Sequence, residues 1–79
     1  MLRFIDRDGD RVEGRDAVAV IEHLRRQSRV GRSQSMAAFM RGMAQRIEIL
    51  SGDKVRSTTE AKFLDDLIAT GYLRPDETG

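Results

Sequence analysis

Between positions 36 and 50 apolar side chains recur at the spacing of an α-helix. Met36, Phe39, Met40, Met43, Ile47 and Leu50 fall within an arc of about 100° on a helical wheel. A stripe of that width must be covered, so the other segments have to supply the opposing side of a core. The chain has 79 residues, enough for one such core and not for two. Ser33 or Ser35 supplies the helix start and Gly52 its stop. A second line on the same helix, Ala38, Gly42 and Ile49, lies away from the stripe. Glycine inside a helix costs about 1 kcal/mol relative to alanine, so this line reads as a second packing surface, within the fold or against another subunit.

The remaining elements follow from local signals. Leu2–Asp6 and Arg11–Glu13 are β-prone and flank an Asp- and Gly-rich turn. With Asp8-Gly9 as the central pair of a type I′ turn, Ile5 would face Val12 and Asp6 would face Arg11. Asp16 is an N-cap for a helix running to about Ser28, with Ala17, Val20, Ile21, Leu24 and Ser28 on one face and a Glu22–Arg26 pair on the other. Gly31 reads as its stop. Lys54-Val55-Arg56 is read as a third short strand, and Ser57–Glu60 has capping-box spacing ahead of a third helix bearing Ala61, Phe63, Leu64, Leu67 and Ile68. Gly71 ends that helix, and Tyr72 and Leu73 fold back on the core. The expected fold is α+β in the order ββααβα: a small antiparallel sheet, made of an N-terminal hairpin plus the third strand, packed with three helices. Residues 1–75 are expected to form one compact domain and 76–79 a flexible polar tail.

Composition removes several classes. The chain has no cysteine, which excludes disulfides, thiolate metal sites and a cysteine nucleophile. No segment has the roughly 20 consecutive apolar residues of a membrane span, and Met1–Asp6 has no signal-peptide core. The expected compartment is the cytoplasm, of a prokaryote or phage. His23 is the single histidine and falls off the core face of its helix, so it is read as a surface residue. The adjacent Asp65-Asp66 point about 100° apart on a helix and do not converge on one substrate atom, with Lys62 placed to neutralise either of them. Neither arrangement gives an acid–base pair, and no enzyme is expected. Asp6, Asp8 and Asp10 alternate like the start of a calcium loop, but the sixth position from Asp6 is Arg11 and the twelfth is Ala17, where that loop needs Gly and Glu. No metal, cofactor or catalytic residue is assigned.

The formal net charge is only +1, yet it is unevenly spread. Residues 23–47 hold Arg25, Arg26, Arg29, Arg32, Arg41 and Arg46 with no acid among them, between two mildly acidic flanks. Such local positive density suits phosphate. The segment Gly31-Arg32-Ser33-Gln34-Ser35, between two helices, resembles the inter-helix loop of ribbon-helix-helix repressors. The resemblance covers about residues 11–50 and implies that Arg11-Val12-Glu13 would be the groove-reading strand. The chain departs from that family where this strand pairs into a hairpin, where it carries an acid, and where further elements follow residue 53.

Two functional readings result. The favoured one is a small non-enzymatic interaction or regulatory module, partnered by a protein or by itself as a homo-oligomer, with Ala38, Gly42 and Ile49 as its interface. The hairpin's open strand edge offers a protein partner a second place to dock. The alternative is a nucleic-acid-binding regulator using the six arginines.

Overall fold

The computed structural model describes residues 1–77. Strands β1 (Leu2–Asp6) and β2 (Arg11–Gly14) form a hairpin, followed by helices α1 (Ala17–Gln27), α2 (Met36–Ser51) and α3 (Glu60–Ala69) and by strand β3 (Leu73–Pro75). A 3₁₀ turn at Gly31–Ser33 joins α1 to α2. The sheet is antiparallel in the order β2-β1-β3. The α+β class is therefore as the sequence indicates, with one change of order: the third strand follows the third helix.

That strand is Leu73–Pro75, not Lys54–Arg56. Burial of Leu73 carries the chain back across the sheet, where Ile5 pairs with Arg74 and Asp6 with Leu73. Strand β1 then has both edges occupied and no place for Lys54–Arg56. That segment is tied to α3 through side chains instead. The Arg56 N–H donates to Asp66 Oδ2 at 2.8 Å, and its guanidinium reaches both carboxylate oxygens. Asp66 thus has Arg56 as its partner, where the sequence had suggested Lys62. Asp76 continues the pairing beyond Pro75, its N–H donating to Arg3 O and its carboxylate lying 3.2 Å from Arg11 Nε. The last two positions of the expected 76–79 tail fall outside the described residues.

The hairpin register differs by one residue from the expected one. Phe4 pairs with Val12 and Ile5 with Arg11. Among the described residues no non-glycine has positive φ, so Asp8 does not take the left-handed conformation a type I′ turn requires; Gly9 does, at φ +86°. The loop is instead a three-residue one, with Gly9 N–H donating to Asp6 O and Asp6 N–H to Asp10 O. Asp6 Oδ1 holds it closed by accepting from both Asp8 N–H and Asp10 N–H at 2.9 Å. Because side chains alternate between faces, one added loop residue puts Phe4 and Asp6 inward with Val12 and leaves Ile5 on the outer face.

One contiguous core joins the sheet to all three helices through Phe4, Val12, Val20, Ile21, Phe39, Met43, Ile47, Phe63, Leu67 and Leu73. Helix α1 starts at the expected N-cap, Asp16, whose carboxylate accepts from Ala19 N–H. It packs against β2 so closely that a Cβ at Gly14 would lie 2.6 Å from the backbone of Ala19 and Val20. Gly31 is needed for the same reason and not as a left-handed stop: the Phe39 ring sits 2.6 Å from where its Cβ would be. Helix α2 begins at Ser35, and Gly52 in the left-handed region closes it. Helix α3 is capped by Thr59, which accepts from Lys62 N–H, so the Ser57–Glu60 box does not form. Leu50, in the last turn of α2, departs from the predicted stripe and remains 82% exposed. Among the described residues no helix is long and apolar enough to cross a membrane.

Candidate functional site

Helix α2 has two faces of different character. The inner face buries Phe39, Met40, Met43, Ala44 and Ile47. On the outer face, half-buried Ala38 and Gly42 are followed by exposed Gln45 and Ile49, the last 74% exposed. These residues are spaced four, three and four apart, the rhythm of a coiled-coil seam at positions d, a, d and a. Outside the helix's own backbone, a Cβ at Gly42 would meet only Arg46 Nη1, at 3.9 Å. Neither α1 nor α3 therefore fills the notch that Gly42 leaves. Arg41 and Glu48, seven residues apart and both exposed, flank one side of this seam, and Arg46 flanks the other.

The six arginines of the central block do not form one surface. Arg25 is structural: its guanidinium grips Glu22 through Nε at 2.9 Å and Nη2 at 2.6 Å, while Nη1 donates to Arg32 O and Gln34 O across the 3₁₀ turn. Arg26 Nε reaches the same carboxylate at 3.1 Å. Hydrogen bonds from Arg25 first and Arg26 second hold the Glu22 carboxyl down at about 2. One acid lying three residues before the block thus engages two of its members. Arg29 and Arg32 are exposed at the end of α1 and in the turn, whereas Arg41 and Arg46 diverge by about 140° around α2.

Arg46 lines a small cleft of about 150 Å³ with Asp6, Asp8, Asp10 and Tyr72. The three carboxylates have oxygens within 4.8 Å of one another, a set that suits a hard cation by type. The bonds from Asp6 to Asp8 N–H and Asp10 N–H account for the arrangement as turn closure. Burial pushes the Tyr72 phenol up, with the charges of Asp6 and Asp8 adding to the effect, and Arg7 stacks 5.4 Å from the ring centroid.

His23 is not the free surface residue expected from its wheel position. It lies against the outer edge of β2, with Nδ1 3.0 Å from Glu13 O and 3.1 Å from Glu13 N. Gln27 Nε2 donates to Arg11 O and stands 3.0 Å from His23 Nε2. Glu13 N–H donates to Nδ1, so the imidazole sits over both outward-facing polar groups of Glu13. Side chains of α1 thereby close an edge that the sequence left open to strand addition. On the opposite side β3 is three residues long and includes Pro75. The Asp76–Arg3 bond sets the ladder so that the proline ring faces outward, where it cannot donate to an added strand. Both edges are blunted, which leaves the outer face of α2 as the strongest candidate surface.

The sequence singles out Ala38, Gly42 and Ile49, which the structure places on one outer face of α2, but not Gln45, which lies on the same face, nor the charges that flank it. The missed signal was the heptad separation of Arg41 and Glu48. No family model, no curated protein and no solved structure matches the chain.

Proposed function

We propose that this chain is a small non-enzymatic interaction module that self-associates through the outer face of α2. The observation that carries the reading is the notch at Gly42, a mid-helix glycine left unfilled by the chain's own fold, beside an Ile49 that is 74% exposed. A glycine that weakens its own helix is accounted for if part of another chain packs into the space it leaves. An isologous pair of identical patches is the commonest way a small chain covers such a face.

Sedimentation equilibrium of the unmodified chain across a wide concentration range tests this. A mass rising from monomer toward dimer is expected, with Ile49→Asp holding the chain at monomer and its circular dichroism unchanged. A monomer at every concentration sinks the reading, as does an Ile49→Asp variant that associates as well as the original. Nucleic-acid binding falls to Arg29, Arg32 and Arg41, spread over separate elements, and is the less favoured role.

A further inference from the structure

Resting on that reading, we infer that the partner is a second copy of this chain lying antiparallel along α2, with Ala38 opposite Ile49 and Gly42 opposite Gln45. Two arguments, one from the sizes of the seam residues and one from the charges beside them, select this register.

The first is size. In an antiparallel coiled coil each a residue meets a d residue of the other helix. Around a two-fold axis between residues 43 and 44, the seam pairs its smallest members with its largest, Ala38 with Ile49 and Gly42 with Gln45. Each notch receives a longer side chain, and every contact is repeated by symmetry.

The second is charge. Arg41 and Glu48 both occupy the g position of the heptad. Antiparallel packing brings g residues of the two helices together, about two residues or 3 Å apart along the axis in this register. Arg41 of each copy then lies beside Glu48 of the other, giving two opposite-charge contacts. Parallel packing would instead set each g residue against the e residue five positions on, which is Arg46. That places Arg41 against Arg46 twice, a like-charge arrangement. The charges flanking the seam thus favour one orientation and oppose the other.

Sedimentation equilibrium on four chains tests the register: the original, Arg41→Glu, Glu48→Arg and the double variant. Each single change replaces two attractive contacts by two repulsive ones and should weaken association by about three- to tenfold. The double variant restores opposite charges and should return close to the original. Tightening by Arg41→Glu would show a parallel pair, and a double variant as weak as the sum of its parts would show that the two positions do not meet; either result overturns the register. If the original chain never associates, the underlying reading fails and not the register alone. Cross-linking gives a second readout, because the chain has no cysteine of its own. A mixture of Ala38→Cys and Ile49→Cys should form a mixed disulfide. Ala38→Cys alone should not cross-link, since its two copies would stand about 16 Å apart along the axis, beyond disulfide reach. Self-cross-linking of Ala38→Cys would overturn the antiparallel arrangement.

Discussion

Replacing Gly42 by alanine should move two measurable quantities in opposite directions. Within one chain the substitution relieves the cost of a mid-helix glycine, about 1 kcal/mol. Nothing offsets that gain, because the new methyl would find only Arg46 Nη1, at 3.9 Å, an ordinary van der Waals separation. For a domain of this size about 1 kcal/mol corresponds to a rise of roughly 4–8 °C in Tm. Urea unfolding followed by circular dichroism at the lowest workable concentration isolates this term from association. In the proposed pair the same methyl fills the notch that would receive Gln45 of the second copy. Association should therefore weaken, by about fivefold for each kcal/mol of lost packing. A stabilised chain with weakened self-association is the expected pair of results. A destabilised monomer would mean that some part of the chain does pack on Gly42. A stabilised monomer with unchanged association would mean that the seam lies elsewhere.

Three further changes probe the frame that holds α2. Gly14→Ala, whose Cβ would come within 2.6 Å of the Ala19 and Val20 backbone, should destabilise by about 1–3 kcal/mol in urea, and a neutral result would refute the close α1–β2 approach. Glu22→Gln removes a carboxyl held at about 2 by Arg25 and Arg26. Since the folded value lies below the unfolded one, the contribution is complete above about pH 5 and is lost as pH falls toward 2, so the variant should show a shallower fall of Tm over that interval; an unchanged acid limb would remove Glu22 from the account. His23→Ala uncovers the outward N–H and C=O of Glu13, so exchange of the Glu13 amide with solvent should quicken, and an unchanged rate would refute the closure of the β2 edge.

The helices were legible in the sequence because each carries its own instructions. Asp16 and Gly52 act where their types predict, and the stripes Val20–Leu24 and Phe39–Ile47 are buried as their periodicity requires. Apart from the cap of α3, which moves from Ser57 to Thr59, the failures are non-local. Whether Asp8-Gly9 makes a two- or three-residue loop depends on whether Phe4 or Ile5 is better buried, and that is decided by what packs beneath the sheet. Lys54–Arg56 and Leu73–Pro75 are both short and strand-like, and only the burial of Leu73 chooses between them. Gly31 looks like a helix stop in sequence, whereas its function is to admit the Phe39 ring. The edge closure by His23 and Gln27 was hidden because a wheel shows which side of a helix faces water, not which strand edge lies beneath that side.

The arginine block shows the same limit from the other direction. Six uninterrupted positive residues invite a phosphate-binding reading, but linear charge is not surface charge. Glu22 lies just before the block and engages Arg25 and Arg26, and Arg25 further braces the turn that delivers the chain into α2. What remains is divided by helix geometry, and Arg41 and Arg46 fall on opposite sides of the same outer face. That division gives the seam its directional character. If both flanks had carried mixed charge, either orientation of a second helix would be acceptable. With Arg41 and Glu48 on one flank and Arg46 on the other, the parallel arrangement is penalised and the antiparallel one is not. A single helix face is small beside the roughly 800 Å² per partner of a standard stable interface, so the association should be weak and responsive to concentration. In the proposed pair the contrast between two favourable and two unfavourable charge contacts would be a large share of so weak a total, so substitutions at Arg41 and Glu48 should shift orientation more than size changes within the seam.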